Sequence, residues 1–225
     1  MNSGRSMFSV IPLLFALVVL LPASSLPAQE LAPEENGKRP FASTLLFTFH
    51  SDIEVCLHHF VYRWAKKEAM EAGTIPKRYP EPTLRDVDVA ALAKLSDEER
   101  AIWDGALGHY RDQVAGRSIL FDDELVKLRN VLAGELDASA LAEAESITFE
   151  QIEALLPVYR RVWWPRHDAE NRQWVAAVIG DVIRFERPIA ERITRAYGAA
   201  WPSPPNRVDL APYASSTVAY TTGEP

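Results

Sequence analysis

Ile53, Cys56, Leu57, Phe60 and Trp64 recur at steps of three and four residues. On a helix of 3.6 residues per turn they form one apolar stripe. Ser51-Asp52-Ile53-Glu54 ahead of them reads as a capping box, with Ser51 accepting from the third helical N–H and Glu54 reaching back to the Ser51 N–H. Gly73 reads as the stop. A stripe of this kind is stable only when other apolar faces cover it, so the rest of the chain must supply them.

Further amphipathic segments follow. Residues 86–95 read as a short Ala/Leu/Val helix. Ser96-Asp97-Glu98-Glu99 is a second capping box, opening a helix with Ile102, Trp103, Ala106, Leu107 and Tyr110 that ends near Gly116. Residues 122–133 form another, closed by Gly134. Thr148-Phe149-Glu150-Gln151 reads as the start of the next, with Pro157 ending or bending it before Trp163. Asp168 is expected to open a long helix using Trp174, Val175, Val178, Val182 and Phe185. Pro188 suits the first turn of a following helix through Ile189, Ile193 and Tyr197, capped by Gly198. After Trp201 four prolines crowd the chain. Residues 207–210 and 217–222 then read as two strands that lack neighbours. The fold class expected is mainly α: an irregular multi-helix domain over 43–200 with a short C-terminal β ribbon in the Pro-rich segment 201–225. Residues 29–42, polar and holding Pro33 and Pro40, read as a flexible lead-in.

Residues 1–28 have the three-part grammar of a secretory signal. Arg5 gives a positive start, residues 7–21 are nearly all apolar, and Ala23-Ser24-Ser25 and Leu26-Pro27-Ala28 offer small-residue cleavage sites. The expectation is an exported protein, periplasmic or extracellular, with no stable membrane span once the signal is removed. A net charge of −7 argues against a nucleic-acid partner. Cys56 is the sole cysteine, so no internal disulfide can form; its place on the stripe reads as a core thiol.

Two groups of side chains could carry chemistry. His50, Glu54 and His58 stand at i, i+4, i+8, a spacing that lines up metal ligands on one helix. The capping box puts His50 outside that helix, which leaves Glu54 and His58 as weak candidates. His59 is turned about 100° from His58. The structural alternative seats His58 at a helix seam and His59 on the polar face. The second group is Trp163, Trp164, Arg166, His167 and Asp168, with Asn171 a turn later. As a recognition corner, Arg166 would take an anion, His167 would move a proton and the indoles would form walls. As a helix junction, the indoles would be packing and Asp168 an N-cap. Glu150/Glu153 and Asp122/Asp123/Glu124 are acids at helix starts, where the dipole favours them; nothing marks them as a glycosidase pair. The chain contains no H-E-x-x-H, G-x-S-x-G, G-x-G-x-x-G, Walker or C-x-x-C-H motif.

Three stretches, SDIEVCLHHFVY (51–62), WWPRHDAENRQWVAAV (163–178) and WPSPPNRVDLAPYASSTVAYTT (201–222), together resemble a family of exported bacterial metallopeptidase-like (gluzincin-like) proteins. In that family a helical region leads into a small sheet and then a helix with an H-E-x-x-H-type motif. The resemblance implies that the zinc helix would follow residue 222, so no zinc ligand carries over onto this sequence. The expectation is then a truncated or inactive form with no cofactor in this chain and no zinc-dependent proteolysis, zinc belonging only to a full-length relative. The other reading is an exported helical module that binds a ligand or protein, with the Trp corner and the His58/His59 region sharing a pocket. Catalytic residues, substrate and partner are not specified by either.

Overall fold

The first long helix starts one residue later than its capping box predicts. In the computed structural model, which describes residues 38–76, 83–201 and 205–214, α1 runs Ile53–Glu71. Its N-cap is Asp52, whose Oδ1 accepts from the N–H groups of Glu54 (3.0 Å) and Val55 (3.3 Å). Ser51 is taken up elsewhere: its Oγ accepts from Asn171 Nδ2 at 2.9 Å. The Glu54 carboxylate pairs with Lys38 rather than folding back on the helix. Tertiary partners have outcompeted a local motif. The predicted stripe is buried as expected, but Val55, His58, His59, Val61 and Tyr62 are buried too. A helix covered all round is the centre of its domain, not one face of it.

The wrapping helices are α2 (Asp86–Ala91), α3 (Asp97–His109), α4 (Asp123–Leu132), α5 (Glu143–Val162) and α6 (Trp164–Tyr197). A π-helical turn at Tyr110–Val114 extends α3, and α1 packs on it and on α3, α4 and α5. Phe60 sits at the middle of the core. Its ring centroid lies 5.1–6.1 Å from those of Tyr213, His167, Trp163, Tyr159, Trp103 and Trp64. The second capping box is present with both bonds, Glu99 N–H to Ser96 Oγ at 3.2 Å and Ser96 N–H to Glu99 Oε2 at 2.9 Å. Ser96→Ala removes the side-chain acceptor at an exposed helix end. It should lower the unfolding free energy by about 1 kcal/mol, read as a lower urea midpoint at unchanged slope. Gly73, Gly134 and Gly198 close α1, α4 and α6 with φ of 73°, 74° and 67°, the left-handed backbone that glycine adopts without strain.

Both interior prolines fail to break their helices. α5 begins at Glu143, before Thr148, and continues through Pro157 to Val162. Leu155, Val158 and Tyr159 around that proline are buried, and their packing outweighs one lost backbone bond. The break falls at Trp163, where Pro165 suits the first turn of α6. Asp168 is therefore inside α6, not its cap, and pairs with Arg172 at 2.8 Å. Pro188 is likewise internal to the 34-residue α6.

A small sheet closes one end of the domain. β1 (Ala42–Ser43) pairs antiparallel with β2 (Phe47–His50), which pairs parallel with β3 (Asn206–Asp209) in the order β1-β2-β3. The segment expected as half of a neighbourless ribbon thus finds its neighbour in residues just before α1. Its proposed companion, 217–222, lies outside the described residues, as does the signal-like stretch 1–28. The described part of the lead-in is bound to the domain: Lys38 donates to Glu54 and to the Leu132 carbonyl, and Phe41 N–H bonds the Phe49 carbonyl at 3.0 Å. All described residues belong to one compact unit, Glu34–Pro225. None of its described helices is long and apolar enough to cross a membrane.

Candidate functional site

The sequence-selected side chains are placed mostly in the interior. His58 on α1 is fully buried, its Nδ1 2.7 Å from Tyr110 Oη. Tyr110 stays protonated, its pKa raised by burial, and one hydrogen bond joins its Oη to Nδ1, leaving the ring's Nε2. That Nε2 has no hydrogen-bond partner among the described residues. Burial, then the charges of His59 and Arg129, push the His58 pKa well below its ordinary value. His59 is also buried rather than on a polar face. Burial, with Arg129 adding to it, lowers its pKa to about 4. Glu54 is committed to Lys38, and His50 lies in β2 with Nε2 3.2 Å from Thr48 Oγ1. Among the described residues no three His, Cys, Asp or Glu side chains are grouped to hold a metal ion.

The second group is organised around a residue the sequence reading passed over. Asp88 lies on α2 with its side chain fully buried. His167 Nε2 donates to its Oδ1 at 3.0 Å, Arg166 donates to the same oxygen, Arg85 Nε donates to Oδ2 at 2.8 Å, and Tyr213 Oη donates to Oδ2. Burial opposes ionisation, but the hydrogen bonds from His167, Tyr213 and Arg166 prevail and hold the carboxyl well below the usual carboxylate range. Glu170, paired with Arg85 at 2.5 Å, supplies a second negative charge for the two guanidinium groups. The Trp163 indole N–H donates to the Asp88 carbonyl at 3.1 Å, and His167 Nδ1 lies 2.7 Å from Tyr159 Oη.

This arrangement is a clamp. Both nitrogens of His167 are occupied and its ring is inaccessible, so it has neither the lone pair nor the access that proton transfer to a ligand requires. Arg166 spends its charge on Asp88 and Glu170, and Trp163 is core. Trp164 packs against Tyr159 at 6.2 Å between centroids. Asn171 joins three elements, donating to Ser51 Oγ, to the Leu210 carbonyl at 3.1 Å and more weakly to Cys56 Sγ at 3.6 Å. Cys56 is a buried free thiol, raised well above its ordinary pKa by burial and by Asp52. Where a shared pocket is expected between the Trp corner and His58/His59, the described side chains pack against one another. Phe60 and its neighbouring aromatic rings fill the middle, and Tyr110 takes His58. Asp122 caps α4 and pairs with Arg117 at 2.5 Å, while Glu150 and Glu153 are exposed on α5. No local signal distinguishes Asp88 from the exposed Asp86 two residues earlier; only the approach of α6 and Tyr213 does.

An accessible concavity among the described residues lies elsewhere. Glu186, buried on α6, accepts from Thr44 Oγ1 (2.6 Å) and from the N–H groups of Leu45 (3.1 Å) and Leu46 (3.0 Å), seating the β1–β2 turn on the helix. Burial opposes its charge, but these donors keep its carboxyl below the usual range. Beyond this contact Leu45, Leu46, Ala190, Thr194 and Trp201 line an open, mainly apolar groove of about 440 Å³, rimmed by Arg187, Glu191 and Arg195. Away from the residues that line it, α6 leaves Phe185 46%, Ile189 51% and Ile193 41% exposed, and Tyr197 82%. No protein-family model, curated protein or solved structure matches the chain.

Proposed function

We propose that this chain is a helical protein-binding module, belonging to an exported protein as residues 1–28 suggest, and that it engages its partner through the C-terminal half of α6. One observation carries the reading. Large apolar side chains stand exposed along a single helix, in a protein whose other aromatic residues are largely spent on its own core. Scattered exposed apolar residues are ordinary on any surface; a contiguous stripe rimmed by charge marks an interaction site. The Trp163–Asn171 segment serves the module by holding α6 to α2 and to the sheet end, which fixes the direction in which the stripe is presented.

The test uses a photo-crosslinking amino acid placed singly at Phe185, Ile189 or Val89 in the producing cell. Adducts are expected from the two α6 positions and not from Val89, an exposed apolar residue of α2. The double change Ile189→Ser/Ile193→Ser should abolish the Phe185 adduct. It should also move the urea midpoint by no more than about 0.5 kcal/mol equivalent, since these side chains are surface positions. Absence of adducts along α6, or a large stability loss in the double variant, would make the stripe part of the fold rather than a site.

A further inference from the structure

We infer that the partner of α6 is a second copy of the same chain, with the two helices paired antiparallel. This inference rests on the interaction reading of α6 and adds the identity of the occupant. Val178, Val182, Phe185 and Ile189 follow one another at spacings of four, three and four residues, the rhythm of a two-helix seam. The two valines are half-buried at the domain edge and the next two are open, so the seam continues outward from the core.

The charges beside the seam select the occupant and its direction. With Val182 and Ile189 at a and Val178 and Phe185 at d, Asp181 and Arg195 both fall at g. Both are exposed. In an antiparallel pair g meets g. When Phe185 of one copy faces Ile189 of the other, Asp181 lies opposite Arg195 of the second copy, and the two-fold axis repeats the pair at the other end. Arg192, at the next d, lies beside the same Asp181. A parallel pair would instead set Asp181 towards position 186, whose carboxylate is buried and already bound to the β1–β2 turn, so Asp181 would gain no opposite charge there. An anionic bilayer is a poorer occupant, because Asp181 and Glu191 flank the helix alongside its arginines, whereas surface-lying helices carry a predominantly basic polar face. The stripe is thus complementary to itself, and in one orientation only.

Sedimentation velocity of the full chain over a concentration series tests this. A monomer–dimer equilibrium is expected. Asp181→Arg alone and Arg195→Asp alone should each weaken the dimer by about tenfold or more, because the symmetry turns both pairs into repulsions at once. An equimolar mixture of the two variants should recover wild-type affinity, since each chain then faces an opposite charge at both ends. Circular dichroism on each variant checks that the exposed substitutions leave the fold intact. A wild-type chain that stays monomeric at every concentration overturns self-pairing. If the Phe185 and Ile189 crosslinks still form to another macromolecule or to lipid, the interaction reading survives that result; if they do not, both fail. A dimer indifferent to both charge reversals, or one that the mixture does not restore, also overturns the antiparallel α6 pair.

Discussion

Asp88→Ala is expected to destabilise the protein by about 3–5 kcal/mol, the range for removing one partner from a buried charge network. The carboxylate is the common acceptor for Arg85, Arg166, His167 and Tyr213. Alanine would leave two guanidinium groups, an imidazole N–H and a phenol without their acceptor at the junction of α2, α6 and the segment after β3. For a domain of this size the loss corresponds to roughly 10 °C in melting temperature. Glu170→Ala is the internal control. It removes the outer partner of the same arginines, but its carboxylate is about one-third exposed (37%), so the expected loss is under about 1 kcal/mol. Equal effects of the two substitutions on the thermal midpoint would mean that Asp88 is not the keystone described here.

Lowering the pH from 7 towards 4 should cost the fold several kcal/mol, beginning well before most carboxylates protonate. His59, His58 and His167 are all buried with pKa values lowered chiefly by burial, His59 to about 4. The unfolded chain takes up these protons near 6.5, while the folded chain resists. Between those limits the unfolded state binds more protons, so stability falls as pH falls. It is complete above about 6.5 and is lost progressively down to the folded pKa values. His59 alone contributes about 3 kcal/mol over that window at 1.36 kcal/mol per pKa unit, and His58 and His167 act in the same direction. Asp88 adds a further loss only at lower pH, because its depressed pKa stabilises the fold above about pH 4 and ceases to do so below. Urea midpoints at pH 7.5, 6.5, 5.5 and 4.5 check this, with His59→Gln expected to flatten the slope. A midpoint unchanged between pH 7.5 and 4.5 would show that these imidazoles are protonated in the folded state.

Much of the candidate site was written in the sequence as residue types but not as roles. Trp163, Arg166, His167 and Asn171 were visible as a dense polar–aromatic segment, and they do converge, on Asp88 and on the sheet end. What they converge on was not legible, because Asp88 is more than seventy residues away in the chain and sits in an unremarkable short helix. The exposed stripe is illegible in the sequence for a related reason. Trp174 and Phe185 have the spacing of core residues, and periodicity reports an apolar face without saying whether the fold provides something to cover it. The interior prolines stay helical because a missing backbone bond is a local effect, while the burial of Leu155, Val158 and Tyr159 around Pro157 depends on distant parts of the chain.

Local chemistry determined what local chemistry can. The mainly α class, the central stripe of α1, the capping box at Ser96 and the three glycine stops follow from periodicity, side-chain acceptors and permitted φ, all settled within a turn or two of chain. Tertiary structure decided everything that depends on which distant groups arrive first. It moved the α1 cap from Ser51 to Asp52 by giving Ser51 to Asn171, found β3 a neighbour in β2, gathered four donors on Asp88, and left one flank of α6 uncovered. The physical reason is common to all four. A buried donor or acceptor must be satisfied by whatever the folded chain brings within about 3 Å, and an apolar face is buried only if the fold has another face left to offer it.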